Sequence, residues 1–167
     1  MDTAKAADKS IFSNFILNFV FGGAIFYVCG SLVSILDFIF IQHAVYHPDP
    51  VNIAGFVLLP AGLGIRLQGT RTLGEYFSPV VRILPEHKLV KQGIYKHLRH
   101  PIYLGSMLAF FSVPLIFHSL YGLFVTAFAV PFILHKIQIE EQMLVEKFGD
   151  EYRDYVKHSK RLIPHVY

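Results

Sequence analysis

The cations of this 167-residue chain are confined to three places, and their placement limits the fold more than any single motif does. The 15 Lys and Arg fall in the N-terminal tail, in or bordering residues 66–99, and from Lys136 onward. Long apolar runs separate them. The two short connections at 42–50 and 117–121 carry none. A chain that crosses a membrane four times puts those two connections on one side and all the cations on the other. By the positive-inside rule both termini and the 66–99 loop are then cytoplasmic.

Composition supports a membrane fold. Apolar residues make up 53% of the chain and charged residues 16%, too little charge to cover the surface of a soluble domain of this size. The expected class is all-α: a polytopic integral membrane protein of about four transmembrane helices, with a cytoplasmic loop and a C-terminal interfacial helix. The lone Cys29 excludes a disulfide framework and a multi-cysteine metal site. The first apolar run is too long for the apolar region of a signal peptide and lacks a clear small-x-small cleavage site, so it reads as a retained helix.

In chain order, residues 11–41 form a first apolar segment longer than the ~30 Å hydrocarbon layer, which therefore tilts or protrudes. Its Gly22, Gly23 and Gly30 let a neighbouring helix approach. A second span over 51–67 contains Pro60, expected to kink it, and Arg66, which marks the return to an aqueous face. Residues 68–100 then read as a long polar connection, punctuated by Gly and Pro but too rich in interleaved apolar residues to be disordered. Pro101 suits the first turn of a third helix running to about Phe117. A fourth helix starts near Leu120, is interrupted by Pro131, and continues as a mixed polar helix over 135–148 that Gly149 ends. At about 15–17 residues each, helices three and four make a thinly inserted hairpin. The tail is helical and interfacial. The whole chain, 1–167, reads as one domain.

Two pieces carry chemistry. Glu140 and Glu141 are adjacent carboxylates just past an apolar helix, where charge is expensive unless paired or wet. Side chains adjacent on a helix point about 100° apart, so one faces a pocket while the other forms a salt bridge. The bland alternative is a solvated helix face. The second piece is Arg99-His100-Pro101-x-Tyr103: His100 and Tyr103 share a face at a helix start, where backbone N–H groups are free to meet an anion. Here the bland alternative is an interfacial cap, with the nearby lysines holding lipid headgroups. His43-x-x-x-His47 and His97-x-x-His100 are poor metal candidates, because the several histidine boxes of a membrane metal enzyme are missing. No metal and no nucleic-acid partner is expected.

Read as a set, G-L-G-I-R (62–66), L-G-E-Y-F-S (73–78), H-K-L-V (87–90), G-I-Y (93–95), R-H-P-I-Y (99–103), E-E-Q-M-L (140–144), F-G-D-E-Y (148–152) and R-L-I-P (161–164) resemble the isoprenylcysteine carboxyl methyltransferase family, with its phospholipid N-methyltransferase relatives. The resemblance implies S-adenosylmethionine bound between the 87–103 loop and the helix bearing the double Glu, in a cofactor-binding part of about 62–164. It places His87, Lys88, Leu89, Val90, Tyr95, His100, Pro101, Ile102, Tyr103 and Glu140 around that cofactor. It also implies a lipophilic or lipidated acceptor, membrane lipid as a partner, and a home in the endoplasmic reticulum of a eukaryote or the cytoplasmic membrane of a prokaryote. One turn before the first Glu, where the prenylcysteine enzymes carry Arg, this chain has Lys136, which keeps the charge but loses the bidentate fork.

Arg99, Lys136 and Glu141 are the candidate catalytic residues. A carboxylate acceptor needs only a cation to orient it, Lys136 or Arg99. An ammonium acceptor must first lose a proton, to Glu141 or His100. Two other readings stay open. Membrane sterol and enone reductases, which use NADPH, share G-x-Y…R-H-P-x-Y and a similar C-terminal end. A non-enzymatic membrane adaptor would keep the fold without activity.

Overall fold

The computed structural model describes residues 23–46, 48–78 and 88–163. His87, Pro164 and the start of the first apolar segment lie outside the described residues. Helix α1 is described over Gly23–Ile41, α2 over Pro50–Leu73, α3 over Pro101–Ile116, α4 over Leu120–Ala127, α5 over Ala129–Phe148 and α6 over Asp150–His158. Among the described residues the only strand-like pairing is a parallel bridge between Leu98 and Lys160.

Among the described residues, three segments are long and apolar enough to cross a membrane: Gly23–Ile41, Pro50–Tyr76 and Leu120–Phe148. The third apolar helix, α3, has 16 residues, short of the roughly 20 that a ~30 Å hydrocarbon layer asks for. In place of the expected four spans, the described residues give three long segments and one short helix packed against α2 and α4. Large apolar side chains such as Ile25, Leu32, Phe56, Val57, Leu120 and Phe124 point outward, which suits a lipid surround and would not suit water.

Helix α2 departs from the expected 51–67. It begins at Pro50 and runs to Leu73, so residues 66–73 belong to a helix and not to the polar loop. Its start is a capping box: the Asp49 carboxylate accepts from the N–H groups of Val51 and Asn52, and the Asn52 side chain accepts from the Asp49 N–H at 3.0 Å. At its polar end the Thr70 and Thr72 hydroxyls satisfy themselves within the helix, donating back to the carbonyls of Arg66 and Gln68, each at 2.8 Å. Pro60 does not end the helix.

The tightest packing is between α2 and α3. Gly55, Gly62 and Gly69 recur every seven residues, two helical turns, and so form one stripe. A Cβ on Gly62 would lie 2.6 Å from the Gly105 carbonyl oxygen, and one on Gly55 2.6 Å from the Ile116 nitrogen. Only glycine lets the backbones come this close, the usual way to gain packing where lipid gives no hydrophobic drive. Helices α1 and α4 meet in the same manner, with Gly30 against Thr126 and Gly122. Gly64, the other glycine of the G-x-G pair, faces open space.

The Pro131 effect appears three residues early. Proline has no N–H to give to the carbonyl four residues before it, here Ala127, and the chain steps out of α-helix for one residue at Phe128 before α5 begins. Gly149, at φ 54°, ends α5 and starts α6.

Candidate functional site

The site is built where the start of α3, the polar end of α5 and the C-terminal tail meet. The approach to α3 is shaped by Gly93, whose φ of 58° opens a single 3₁₀ turn, Gly93–Lys96. That turn buries Tyr95, and the Tyr155 hydroxyl of α6 donates to the Tyr95 carbonyl at 2.6 Å. The chain then pairs with the tail. The Arg99 N–H donates to the Lys160 carbonyl at 2.8 Å, the Lys160 N–H to the His97 carbonyl at 2.9 Å, and the His100 N–H to the Arg161 carbonyl at 3.2 Å. Residues 159–163 therefore act as a strap across the entry to α3, with Leu162 buried beneath it.

The two adjacent glutamates divide their work. Glu141 Oε1 accepts from Arg99 Nε at 3.0 Å and lies 3.3 Å from His100 Nε2, while its Oε2 accepts from Arg161 at 2.5 Å. Glu140 points elsewhere and accepts from the Tyr103 hydroxyl at 2.8 Å. The His100 and Tyr103 rings lie side by side, 5.7 Å between centroids. Lys136, one turn before Glu140, sets its ammonium 5.3 Å from the centre of the Tyr103 ring. His100 and Glu140 thus share one cluster.

Arg99 is nearly enclosed, and its guanidinium also donates to the Ser159 and Val156 carbonyls at the end of α6. Its contacts are to the protein's own tail. Among the other sequence candidates, Pro101 is buried and Ile102 is partly covered; Lys88 is exposed, with Leu89 and Val90 half-buried beside it. Just beyond them, Lys91 pairs with Glu151 at 2.8 Å.

Tyr152 and Arg161 join the site without having been singled out one by one in the sequence, and so does Arg66, read there only as the return to an aqueous face. Tyr152 is almost wholly buried, and its hydroxyl has no hydrogen-bond partner among the described residues. Burial raises the Tyr152 phenol above its ordinary range, with Glu141 adding to the effect, so it stays protonated. Burial, helped by the Glu140 charge, does the same for Tyr95. Tyr152 and Arg161 lie inside the F-G-D-E-Y and R-L-I-P runs, the only signal for them. Arg66 donates to the Ser106 hydroxyl at 2.5 Å, one turn along α3 from Tyr103. Its signal was an arginine that closes an apolar run, in G-L-G-I-R.

A first turn that no side chain caps opens α3: His100 is its N-cap residue but turns its ring to Glu141. The leading N–H groups of a helix have no partner within it. Uncapped N–H groups, a carboxylate with an oxygen to spare and a buried orphan hydroxyl together suit a polar ligand that carries both an anionic end and hydroxyl or amino donors.

Comparison with known proteins points the same way. The model of the isoprenylcysteine carboxyl methyltransferase family matches residues 53–146. Methanethiol S-methyltransferase 1 of Bradyrhizobium diazoefficiens is 41% identical over 73 residues, covering 42% of this chain and 24% of that protein. Protein-S-isoprenylcysteine O-methyltransferase of Saccharomyces cerevisiae is 33% identical over 107 residues, 62% of this chain and 45% of the yeast protein. Among solved structures, that of the eukaryotic intramembrane Ras methyltransferase ICMT superposes with a TM-score of 0.72 at 26% identity, covering 86% of this chain and 52% of that one. The chain thus spans between about a quarter and about half of these relatives' lengths.

Proposed function

Because the chain belongs to the isoprenylcysteine carboxyl methyltransferase family, we propose that it is an S-adenosylmethionine-dependent methyltransferase of the membrane, acting on a lipophilic acceptor. The observation that carries this reading is the Tyr103–Glu140 and His100–Glu141 pairing at the uncapped start of α3. It lies inside the segment that the family model matches. The cofactor-binding part is taken as about 62–164, within a single unit of 1–167.

The residues fit the cofactor's chemistry. Glu140 has an oxygen left for ribose hydroxyls or an amino group, and the α3 N–H groups suit the amino-acid carboxylate. Tyr95, Ile102 and Pro101 offer apolar cover, and the orphan Tyr152 hydroxyl is available as a donor. His87, Lys88, Leu89 and Val90 are assigned to the same binding loop by the resemblance. When bound, S-adenosylmethionine supplies an electrophilic methyl group on a positively charged sulfur, a chemistry that needs neither metal nor covalent enzyme intermediate. The chain's part is to align, to exclude water and to hold charge.

Glu141 is neutralised by Arg99 and Arg161 and also faces His100, so it serves as a positioning residue that anchors the His100 ring. Arg99 fixes the tail in the same way. This leaves neither group suited to meet the acceptor directly. Lys136, beside Tyr103 and one turn from Glu140, is the α5 cation suited to orient it.

The protein is an integral membrane protein, and the location of its cations supports the reading that both termini and the 66–99 loop are cytoplasmic. A thermal-shift series in detergent tests the class: stabilisation by S-adenosylhomocysteine and none by NADPH is expected, and the reverse would make it a reductase. Glu140→Gln is expected to weaken S-adenosylhomocysteine binding by roughly tenfold to a hundredfold, the range for losing a charged hydrogen-bond acceptor. Its melting temperature should hold. Unchanged affinity would remove Glu140 from the site.

A further inference from the structure

We propose that the cavity at the C-terminal end of α3 binds a primary ammonium group, presented in a membrane by the headgroup of an aminophospholipid. The cavity forms where the end of α1, the connection to α2 and the turn after α3 meet. The 16 residues of α3, about 24 Å of helix, separate it from the charged cluster at the other end. The proposal therefore stands apart from the methyltransferase reading.

The polar side chains of the wall have spent their donors. Gln42 Nε2 donates to the Phe117 carbonyl at 3.1 Å and to the Asp37 carboxyl at 3.4 Å. Those bonds fix which way the amide points and use its hydrogens, while its Oε1 has no partner among the described residues. Asn52 gives its amide hydrogens to the Ile116 and Leu115 carbonyls and takes the Asp49 N–H on its oxygen. His118 Nδ1 donates to Asp49 Oδ2 at 2.6 Å, which leaves Nε2 of the neutral ring an acceptor. Asp49 Oδ1 accepts from the Val51 and Asn52 N–H groups, and Oδ2 keeps a lone pair beyond the one His118 uses. Gln42, Asp49 and His118 thus line one cavity with acceptors to spare.

A wall of acceptors with its donors spent suits a ligand that brings N–H groups. The aromatic rings of Phe38, Tyr46 and Phe117 complete the wall, and ring faces attract a cation. An anion is disfavoured, because neither connection, 42–50 or 117–121, contains Lys or Arg to offset Asp37 and Asp49. A metal ion is disfavoured too: among the described residues no three His, Cys, Asp or Glu side chains gather. A quaternary ammonium would meet the rings but leave the acceptors unmatched, whereas a primary ammonium has three N–H donors.

Two further features mark this end. Among the described residues, the non-glycine residues with positive φ are His43, Ala44 and His118, at 54°, 57° and 49°. The end of α1 is a π-helical turn, Asp37–Ile41. Departures of both kinds collect around ligand sites. Beside the cavity, Phe40, Ile41 and Val45 are exposed, an apolar surface along which acyl chains can lie while the headgroup reaches the acceptors.

The test is native mass spectrometry of the full chain in detergent. Phosphatidylethanolamine, phosphatidylcholine and phosphatidylglycerol with the same acyl chains are titrated onto wild type, Asp49→Asn and Phe117→Leu, with free ethanolamine as a soluble competitor. Asparagine keeps the α2 cap and removes the charge. Wild type is expected to bind phosphatidylethanolamine at least about tenfold tighter than the other two lipids. Asp49→Asn should erase most of that preference, and Phe117→Leu should reduce it by about threefold. All three proteins should bind S-adenosylhomocysteine alike. Ethanolamine that displaces the lipid at matching concentration, in an Asp49-dependent way, would keep the ammonium site and move its source to soluble amines. Equal binding of the three lipids, a preference for phosphatidylglycerol or phosphatidylcholine, or a preference that neither substitution changes, overturns the proposal. Loss of S-adenosylhomocysteine binding in all three proteins, with the lipid preference intact, would count against the methyltransferase reading and leave the ammonium site standing.

Discussion

At its C-terminal end α3 hands its last carbonyls to neutral amides, whereas at its N-terminal end it faces a knot of charges. Asn52 Nδ2 donates to the Ile116 carbonyl at 2.9 Å, and Gln42 Nε2 to the Phe117 carbonyl at 3.1 Å. A shallow, open cavity of about 250 Å³ lies beside them, lined by Phe38, Tyr46, Asn52 and Phe117 among others. His118 pairs there with Asp49 at 2.6 Å, half open to solvent. The other end brings Arg99, Arg161, His100 and Glu141 together under much deeper cover. The amide-capped end shows that this chain can finish a helix without charge. A buried ion cluster costs desolvation that amides avoid, so the charges at the other end answer to a different demand, holding a binding surface in place.

If that contrast is right, Glu141→Ala should have the largest effect. It removes the carboxylate that two guanidiniums and a histidine share and is expected to destabilise by about 3 kcal/mol or more. Chemical unfolding in detergent would measure it, and a loss below about 1 kcal/mol would mean the cluster is solvated and weak. Gly62→Val attacks the spine that both ends share. A side chain forced against the Gly105 carbonyl should cost about 1–3 kcal/mol and reduce S-adenosylhomocysteine affinity as α3 shifts. Unchanged ligand affinity would uncouple the α2–α3 contact from the site.

Asn52→Ala sharpens the comparison from the quiet end. It removes a buried amide bonded to Ile116 and should cost about 1–2 kcal/mol while leaving ligand binding untouched. A change in S-adenosylhomocysteine affinity would show that the two ends are not independent.

The smallest effect is expected of Asp49→Asn. The Asn52 N–H, against burial and helped by the Val51 N–H and His118, holds the Asp49 carboxyl below its usual range. Its stabilisation is therefore complete above the unfolded value, near 4, and is lost as pH falls through the folded one. Asparagine keeps the cap but does not titrate there. Melting temperature should barely change at pH 7, and the fall toward pH 3 should be shallower than in wild type. An equal fall in both would remove Asp49 from the acid response.

The helix ends written in local chemistry were legible before any coordinates. Pro101 opens α3, Gly149 closes α5, and Pro131 brings the step at Phe128, each through a backbone group that the residue lacks or a φ it permits. The end of α2 was not legible, because Gln68–Leu73 has a loop's polarity. Its threonine hydroxyls fold back onto the helix's own carbonyls, and Gly69 packs on Ile102, a contact with another helix. The glycine stripe at 55, 62 and 69 was visible as a period, but nothing local says what it faces.

The sequence alone determined that the chain is helical, lives in a membrane and gathers its cations on one side, because hydrocarbon punishes misplaced charge wherever the rest of the chain goes. It also named most of the residues now found at the start of α3. Only the tertiary structure decided which glutamate meets which partner, that the tail straps Arg99 and His100, and that Arg66 reaches Ser106 on α3. Those pairings join residues 20 to 60 positions apart, and no local pattern records a contact made by two helices closing on each other.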